Sequence, residues 1–228
     1  MEKISEYSAI ISNRENMYRF LGRLYKLEAD QPLLDQMEGM CFPAECGEGE
    51  LAQGYRMLEE YLRRLGNDSL TDLAVDYARV FLGAGIAGDT VAYPYESVYT
   101  SPKRLIMQEA RDQVVAAYRV KGLVKEETLD FPEDHIALEI EFMVHLCHET
   151  QQALVTQDWP AVSDCLKEQM DFLALHLLNW IPAFCGDTQK YAETEFYKAV
   201  AKITNGYLHL ERAILEELID GTIVEAGA

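Results

Sequence analysis

The stretch FPEDHIALE, residues 131–139, decides how the second half of this chain folds. Proline is favoured at the first position of a helix because its missing N–H needs no partner there, so Pro132 predicts a helix start. Glu133 and Asp134 would then lie in the first turn, near the positive end of the helix dipole. We therefore predict a helix over residues 133–155.

His135 and Glu139 are four residues apart, so they would share one face of this helix, where their side chains can hydrogen-bond. Beyond them, residues 140–150 are apolar on most sides, through Ile140, Phe142, Met143, Val144 and Leu146. That pattern predicts a helix buried on several faces. An acidic, histidine-bearing start on a buried helix indicates a binding site.

Apolar residues recur at helical spacing along the rest of the chain, and no stretch alternates as strands do. We predict further helices over residues 4–28, 31–40, 50–65, 69–81, 102–118, 160–180 and 188–220. A polar run containing Gly122 predicts a hinge. The expected fold class is an all-α bundle of two lobes, with an N-terminal lobe over 1–120, a hinge over 121–132 and a C-terminal lobe over 133–228. This arrangement permits a monomer or a domain-swapped dimer.

The composition is that of a globular protein, with 49% apolar and 26% charged residues, but the net charge is −19. Such a charge repels nucleic-acid phosphates and anionic lipids and attracts basic segments, so we expect no nucleic-acid partner. The N-terminus lacks an apolar signal core, and no run is long enough to cross a membrane. Five cysteines without a C-x-x-C pair suit a reducing compartment. We expect a soluble, cytoplasmic protein.

The longest stretch without helical pattern runs from Gly83 to Tyr99 and is rich in glycine and tyrosine. Loops of this length inside compact helical domains tend to be functional. Flat aromatic side chains beside a proline can form a groove for a peptide. The alternative is that the tyrosines simply fill the gap between helices.

Two motifs, taken in this order, resemble those of the TorD/DmsD family of redox-enzyme maturation chaperones. The first family motif reads Y-x-x-L-F-x-G, followed by a loop ending in P-W-x-S-V-Y, and the second reads E-P-x-D-H. Here they stand as Tyr77-x-x-Val80-Phe81-x-Gly83, Pro94-Tyr95-Glu96-Ser97-Val98-Tyr99 and Phe131-Pro132-Glu133-Asp134-His135. The departures are Val80 for leucine, Tyr95 for tryptophan and Phe131 for glutamate. The resemblance is carried by the middle third of the chain.

The resemblance implies a non-catalytic cytoplasmic chaperone without a cofactor of its own. Its partners would be the twin-arginine signal peptide and the apo catalytic subunit of a molybdenum-cofactor oxidoreductase of the dimethyl sulfoxide or trimethylamine N-oxide reductase type. It would aid cofactor insertion and proofread export. The expected peptide-binding residues are Tyr77, Phe81, Pro94, Tyr95, Ser97, Tyr99, Glu133, Asp134, His135 and Glu139.

The chemistry of these residues suits that peptide. The carboxylates of Glu133, Asp134 and Glu139 can accept charge-assisted hydrogen bonds from arginine, and the aromatic side chains can hold an apolar run. The negative charge should speed the encounter, and binding should weaken as salt rises.

Two other readings remain open at this point. Glu141, His145 and His148 share a helical face, so a metal-dependent helical enzyme is the second hypothesis. The E-x-x-H pairs of a di-iron bundle are absent, as is any nucleophile motif such as G-x-S-x-G. The third hypothesis is a scaffold protein whose acidic surface docks a basic partner without a defined groove.

Overall fold

The computed structural model describes residues 2–43, 47–84 and 91–226. In these ranges the chain forms helices, and only an isolated bridge between Tyr95 and His135 has β character. The helices are α1 (Glu2–Lys26), α2 (Gln31–Glu38), α3 (Glu50–Leu62), α4 (Ser69–Leu82), α5 (Glu96–Thr100), α6 (Glu109–Val120), α7 (Ile136–Val155), α8 (Trp159–Phe172), α9 (Ile181–Tyr191) and α10 (Glu195–Ala226). The predicted all-α class is confirmed. Across these ranges, none of the helices combines the length and the apolar character needed to cross a bilayer.

The helices pack around one continuous hydrophobic core. Helix α1 lies along α7, and α3 lies along α10, which also contacts α8 and α9. The largest fully buried side chains include Trp180, Tyr18, Tyr25 and Tyr197. Both main helix pairs join the first half of the chain to the second, and the division into two lobes at residues 121–132 stays a prediction.

A buried polar network also ties the two ends of the chain together. Arg14 in α1 donates from Nε and Nη2 to the carboxylate of Glu211 in α10, at 2.9 Å. Both side chains are almost fully buried. Tyr18 donates to the same carboxylate at 2.6 Å, and Gln169 in α8 accepts a further Arg14 N–H at 2.6 Å. The network therefore links α1, α8 and α10.

Local signals set several helix ends. Asp30 caps α2 by accepting the Leu33 N–H at 3.0 Å, and Asp158 caps α8 in the same way. Gly83 ends α4 with φ 69°, a left-handed conformation that glycine adopts without strain. These ends follow the usual residue preferences of helix caps.

Two predicted helix starts were wrong because contacts with other segments set them. Helix α6 begins at Glu109 rather than at Pro102, and α7 begins at Ile136 rather than at residue 133. Pro132, Glu133 and Asp134 therefore lie in a turn ahead of α7 and not in its first turn. The stretch from Gly83 to Tyr99, predicted to be without helix, contains most of the short helix α5, while Gly85 and Gly88 lie outside the described residues.

The C-terminal third also differs from its prediction. The predicted helix 160–180 becomes α8 followed by a π-helical turn at Leu173–Leu177, in which the Leu178 N–H bonds to the Leu173 carbonyl at 2.8 Å. The predicted helix 188–220 is divided between α9 and α10. Asp76 causes this break, because its buried carboxylate accepts the N–H groups of Glu193 and Thr194 just before α10 begins.

Candidate functional site

The two motif segments lie in direct contact. Tyr95 and His135 form an antiparallel β-bridge. On either side of it, the Ile136 N–H donates to the Pro94 carbonyl at 2.9 Å, and the Glu96 N–H donates to the Asp134 carbonyl at 3.0 Å. We call the contact between residues 94–97 and 134–136 the motif junction. Main-chain hydrogen bonds fix its register.

Asp134 fastens the junction from inside. Its side chain is fully buried, and Oδ2 accepts the Ser97 N–H at 2.9 Å, so Asp134 caps the first turn of α5 from across the junction. The Ser97 hydroxyl in turn accepts the Gln108 N–H at 3.1 Å, immediately ahead of α6. Burial raises the pKa of Asp134 above its ordinary value. One carboxyl thus positions α5 and, through Ser97, the start of α6.

His135 is the N-cap of α7, where its Nδ1 accepts the Ala137 N–H at 3.1 Å. The proton of the neutral ring therefore lies on Nε2. Burial lowers the pKa of His135 to about 3, so the ring is uncharged near neutral pH. It stacks on Phe131 with ring centres 4.2 Å apart and meets the Tyr95 ring edge-on at 5.2 Å. The predicted hydrogen bond between His135 and Glu139 is not formed: Nδ1 of His135 caps α7, and Oε2 of Glu139 accepts from Trp180 instead.

Glu139 forms a buried carboxyl pair with Glu96. Oε2 of Glu139 accepts the Trp180 Nε1–H at 3.0 Å, and its carboxyl lies within hydrogen-bonding reach of Glu96. Glu96 is held by Asn179 Nδ2 at 2.8 Å and by His176 Nδ1 at 3.0 Å. Burial and the charge of Glu96 raise the pKa of Glu139 well above its ordinary value. Oε1 of Glu139 is buried without a hydrogen-bond partner, and a proton on this carboxyl would let it donate to Glu96, which two ionised carboxyls could not do.

Tyr77 and Phe81 occupy the core. The Tyr77 hydroxyl donates to the Tyr25 carbonyl at 2.8 Å, and the Phe81 ring packs edge-on against the rings of Tyr25 and Tyr197. Both side chains are buried. They pack inside the core and do not line an open surface. For these two residues, the alternative that aromatic side chains fill the gap between helices therefore applies.

Tyr99 and Glu133 lie at the margins of the junction and are partly exposed. The Tyr99 hydroxyl donates to Asp187 at 3.2 Å, and its ring packs on Trp180 with centres 5.6 Å apart. Glu133 accepts from Arg111 Nε at 2.7 Å, and this hydrogen bond lowers the pKa of Glu133. Of the three acids expected to meet a peptide, only Glu133 reaches the surface. Asp134 and Glu139 are sealed, so a peptide reaches them only if the junction opens, and their contact with arginine stays a prediction.

Sequence reasoning missed Glu96, His176, Asn179 and Trp180. Glu96 stood at an unspecified position of the loop motif, and its acidity was the one available signal. The other three come from the π-helical turn and the residues just after it, about 80 residues further along the chain. Nothing in the local pattern linked them to the junction.

The proposed metal residues do not converge. Glu141 pairs with Lys26 at 2.8 Å, His145 Nε2 faces Glu149 at 3.4 Å, and His148 contacts Gln152 at 2.9 Å. Within ranges 2–43, 47–84 and 91–226, histidine, cysteine, aspartate and glutamate side chains form no group of three suited to a metal ion. The three residues are therefore engaged separately along α7, and the metal-enzyme hypothesis loses its site.

Residues 48–186 match the family model described as nitrate reductase delta subunit. A protein named chaperone protein TorD from Vibrio cholerae serotype O1 is 31% identical over 177 residues, which are 77% of each chain. One of the same name from Vibrio parahaemolyticus is 26% identical over 218 residues, covering 93% of this chain and 99% of that protein. Another, from Shewanella loihica, is 29% identical over 211 residues, or 87% and 90% of the two chains.

Proposed function

This chain belongs to the TorD family of chaperones rather than to an enzyme family, and we propose that its client is a molybdenum-cofactor oxidoreductase of the dimethyl sulfoxide or trimethylamine N-oxide reductase type. The chaperone binds the twin-arginine signal peptide and the apo catalytic subunit in the cytoplasm. Occupied in this way, the signal peptide is withheld from export until the cofactor is inserted. The chaperone acts by binding alone, as a monomer or as a domain-swapped dimer, and lowers the free concentration of the unfilled client.

The motif junction is the observation that carries this proposal. The two segments by which the chain resembles its family meet at Tyr95 and His135, with main-chain bonds on both sides of the bridge. Asp134 and Ser97 hold the same place from within. A site assembled from both segments suits recognition of one ligand by both.

The charge of the chain supports the same ligand. With 39 acidic against 20 basic residues, the surface potential attracts a peptide that carries two guanidinium groups. Long-range attraction raises the association rate and is screened at physiological ionic strength beyond about 8 Å. Recognition of the apolar run that follows the arginines then depends on short-range contacts.

The direct test is titration of the purified chain with a synthetic twin-arginine signal peptide, followed by fluorescence anisotropy. A matched peptide carries glutamine at both arginine positions. We expect tighter binding of the arginine peptide and a loss of affinity as salt rises, whereas the glutamine peptide should respond little to salt. Equal affinity for both peptides at every salt concentration would falsify the proposal. Capture of molybdoenzyme precursors from a pull-down then identifies the client.

A further inference from the structure

An apolar groove lies beside the motif junction, between α7 and the segment that precedes it. Its volume is about 230 Å³. Most of its surface is contributed by apolar or aromatic side chains, namely Tyr118, Leu123, Val124, Leu129, Leu138 and Phe142. We call it the 118–142 groove. None of the residues expected from the motifs lines it, although Leu138 follows the second motif by three positions.

Lys125 holds the outer wall of the groove in place. Its Nζ donates to the carbonyl of Leu129 at 2.8 Å and to that of Phe131 at 2.7 Å, which folds residues 123–131 back on themselves. Phe131 stacks on His135. The wall is thus connected through one ring pair to the motif junction.

A replaceable ion pair stands at the rim. Lys26 of α1 and Glu141 of α7 pair at 2.8 Å, and their side chains are 26% and 43% exposed. Both line the groove and also a neighbouring surface pocket of about 570 Å³. A partly exposed lysine–glutamate pair stabilises a fold little, so another cation can take the place of Lys26 at small cost. An arginine can offer Glu141 two parallel N–H donors, which lysine cannot.

The geometry points to a specific mode of binding: the 118–142 groove takes apolar side chains of the signal peptide, and one of its two arginines displaces Lys26 from Glu141. This inference rests on the proposed function and assigns its ligand to a place. An apolar trough with an accessible carboxylate at its rim matches a segment in which cationic residues precede apolar ones. Lys125 and Glu126 also line the groove and their charges balance, so the carboxylate of Glu141 is the acceptor that a displaced Lys26 would leave to the peptide.

The test compares Glu141→Gln and Lys26→Met with the wild type, using the arginine peptide and its glutamine counterpart. Glu141→Gln should weaken binding of the arginine peptide by about tenfold, as expected for loss of a charge-assisted pair, and leave the glutamine peptide unchanged. Lys26→Met should tighten binding of the arginine peptide about threefold, because it removes the competing cation. In the double variant the gain from Lys26→Met should vanish.

Control variants come from a similar exposed pair on α10, Arg212 and Glu216, which does not line the groove. Arg212→Met and Glu216→Gln alter net charge by the same amounts, so they measure the long-range contribution alone. The apolar wall is tested with Val124→Ser, at a side chain that is 86% exposed, against Val155→Ser, at one that is 81% exposed and outside the groove. We expect only Val124→Ser to weaken binding, by about threefold.

The outcomes separate the two proposals. If the wild type binds the arginine peptide and the groove variants behave like their controls, the groove assignment is overturned while the proposed function stands. If the wild type does not prefer the arginine peptide, the proposed function fails and the groove assignment falls with it. A Lys26→Met variant that binds more weakly than Arg212→Met would also overturn the exchange at Glu141.

Discussion

Tyr95 and His135, 40 positions apart in the chain, face each other through an antiparallel main-chain bridge and an edge-to-face ring contact of 5.2 Å. The bridge joins a loop of the first half of the chain to the start of α7. The interior beneath the bridge contains carboxyl groups, since the side chains of Asp134 and Glu139 are both fully buried. The junction is therefore a polar arrangement inside a hydrophobic core, and its stability depends on every donor finding an acceptor.

Replacing Glu139 by glutamine should change how stability depends on pH. Because the pKa of Glu139 is raised above its ordinary value of 4.5, its contribution to stability is complete below that value and is lost as pH rises through the raised folded pKa. A glutamine can still accept from Trp180 and donate to Glu96 at every pH. Glu139→Gln should match the wild type near pH 4.5 and exceed it near pH 8 by on the order of 1 kcal/mol. Denaturant unfolding at both pH values checks this, and parallel pH profiles would contradict it.

Removing the Asp134 carboxyl should destabilise the junction. Asp134→Ala leaves the buried Ser97 N–H without its acceptor, and an unsatisfied buried donor costs about 1–3 kcal/mol. The matched control is Asp130→Ala, at an exposed aspartate of the same segment, which should change stability by less than about 0.5 kcal/mol. Equal free energies of unfolding for the two variants would mean that Asp134 does not hold α5.

Truncating Arg14 should be far more costly. Arg14→Met strands the Glu211 carboxylate in the core, which costs roughly 3–5 kcal/mol when one partner of a buried pair is removed. Glu211→Gln in the same background neutralises the stranded charge and should recover part of the loss. Thermal unfolding of both variants measures the difference. If Glu211→Gln brought no recovery of stability, the cost of Arg14→Met would not come from an unpaired buried charge.

Replacing two helical glycines by alanine should change stability in opposite directions. A Cβ on Gly206 in α10 would come within 2.5 Å of the Leu51 backbone nitrogen, so Gly206→Ala should force α3 and α10 apart and destabilise the protein by about 1–3 kcal/mol. A Cβ on Gly186 in α9 would meet nothing within 4 Å, so Gly186→Ala should stabilise by up to about 1 kcal/mol through helix propensity. A Gly206→Ala variant that melts at or above the wild-type temperature would contradict the close approach of α3 and α10, and a destabilised Gly186→Ala variant would contradict the open space at α9.

The all-α fold was predictable because apolar spacing and local caps act within a few residues. Asp30, Gly83 and Asp158 end or begin helices by contacts inside their own segments. The wrong boundaries have the opposite origin. Helix α10 begins where it does because Asp76, more than 100 residues earlier, accepts the N–H groups that precede it.

The start of α6 was missed for a similar reason. The Ser97 hydroxyl accepts the Gln108 N–H, and Arg104 and Met107 adopt positive φ angles of 51° and 60°. Residues 101–108 therefore form turns and do not join helix α6. Neither arginine nor methionine signals such a conformation. The acidic character of the junction was visible in sequence, whereas its burial was not, because burial depends on which helices cover it.

The π-helical turn at Leu173–Leu177 gives the junction an unusual sensitivity. His176 lies within it and contacts Glu96, and Trp180 lies just after it and contacts Glu139. Both carboxyls are therefore held by a segment whose hydrogen bonds run from residue i to i+5, one residue further than in an α-helix. Deleting one residue there would remove the extra residue and could let the turn relax to an α-helical one, which would change the positions of His176 and Trp180 relative to the two carboxyls. The contacts of both buried carboxyls therefore depend on the number of residues in this turn as well as on the identity of its side chains.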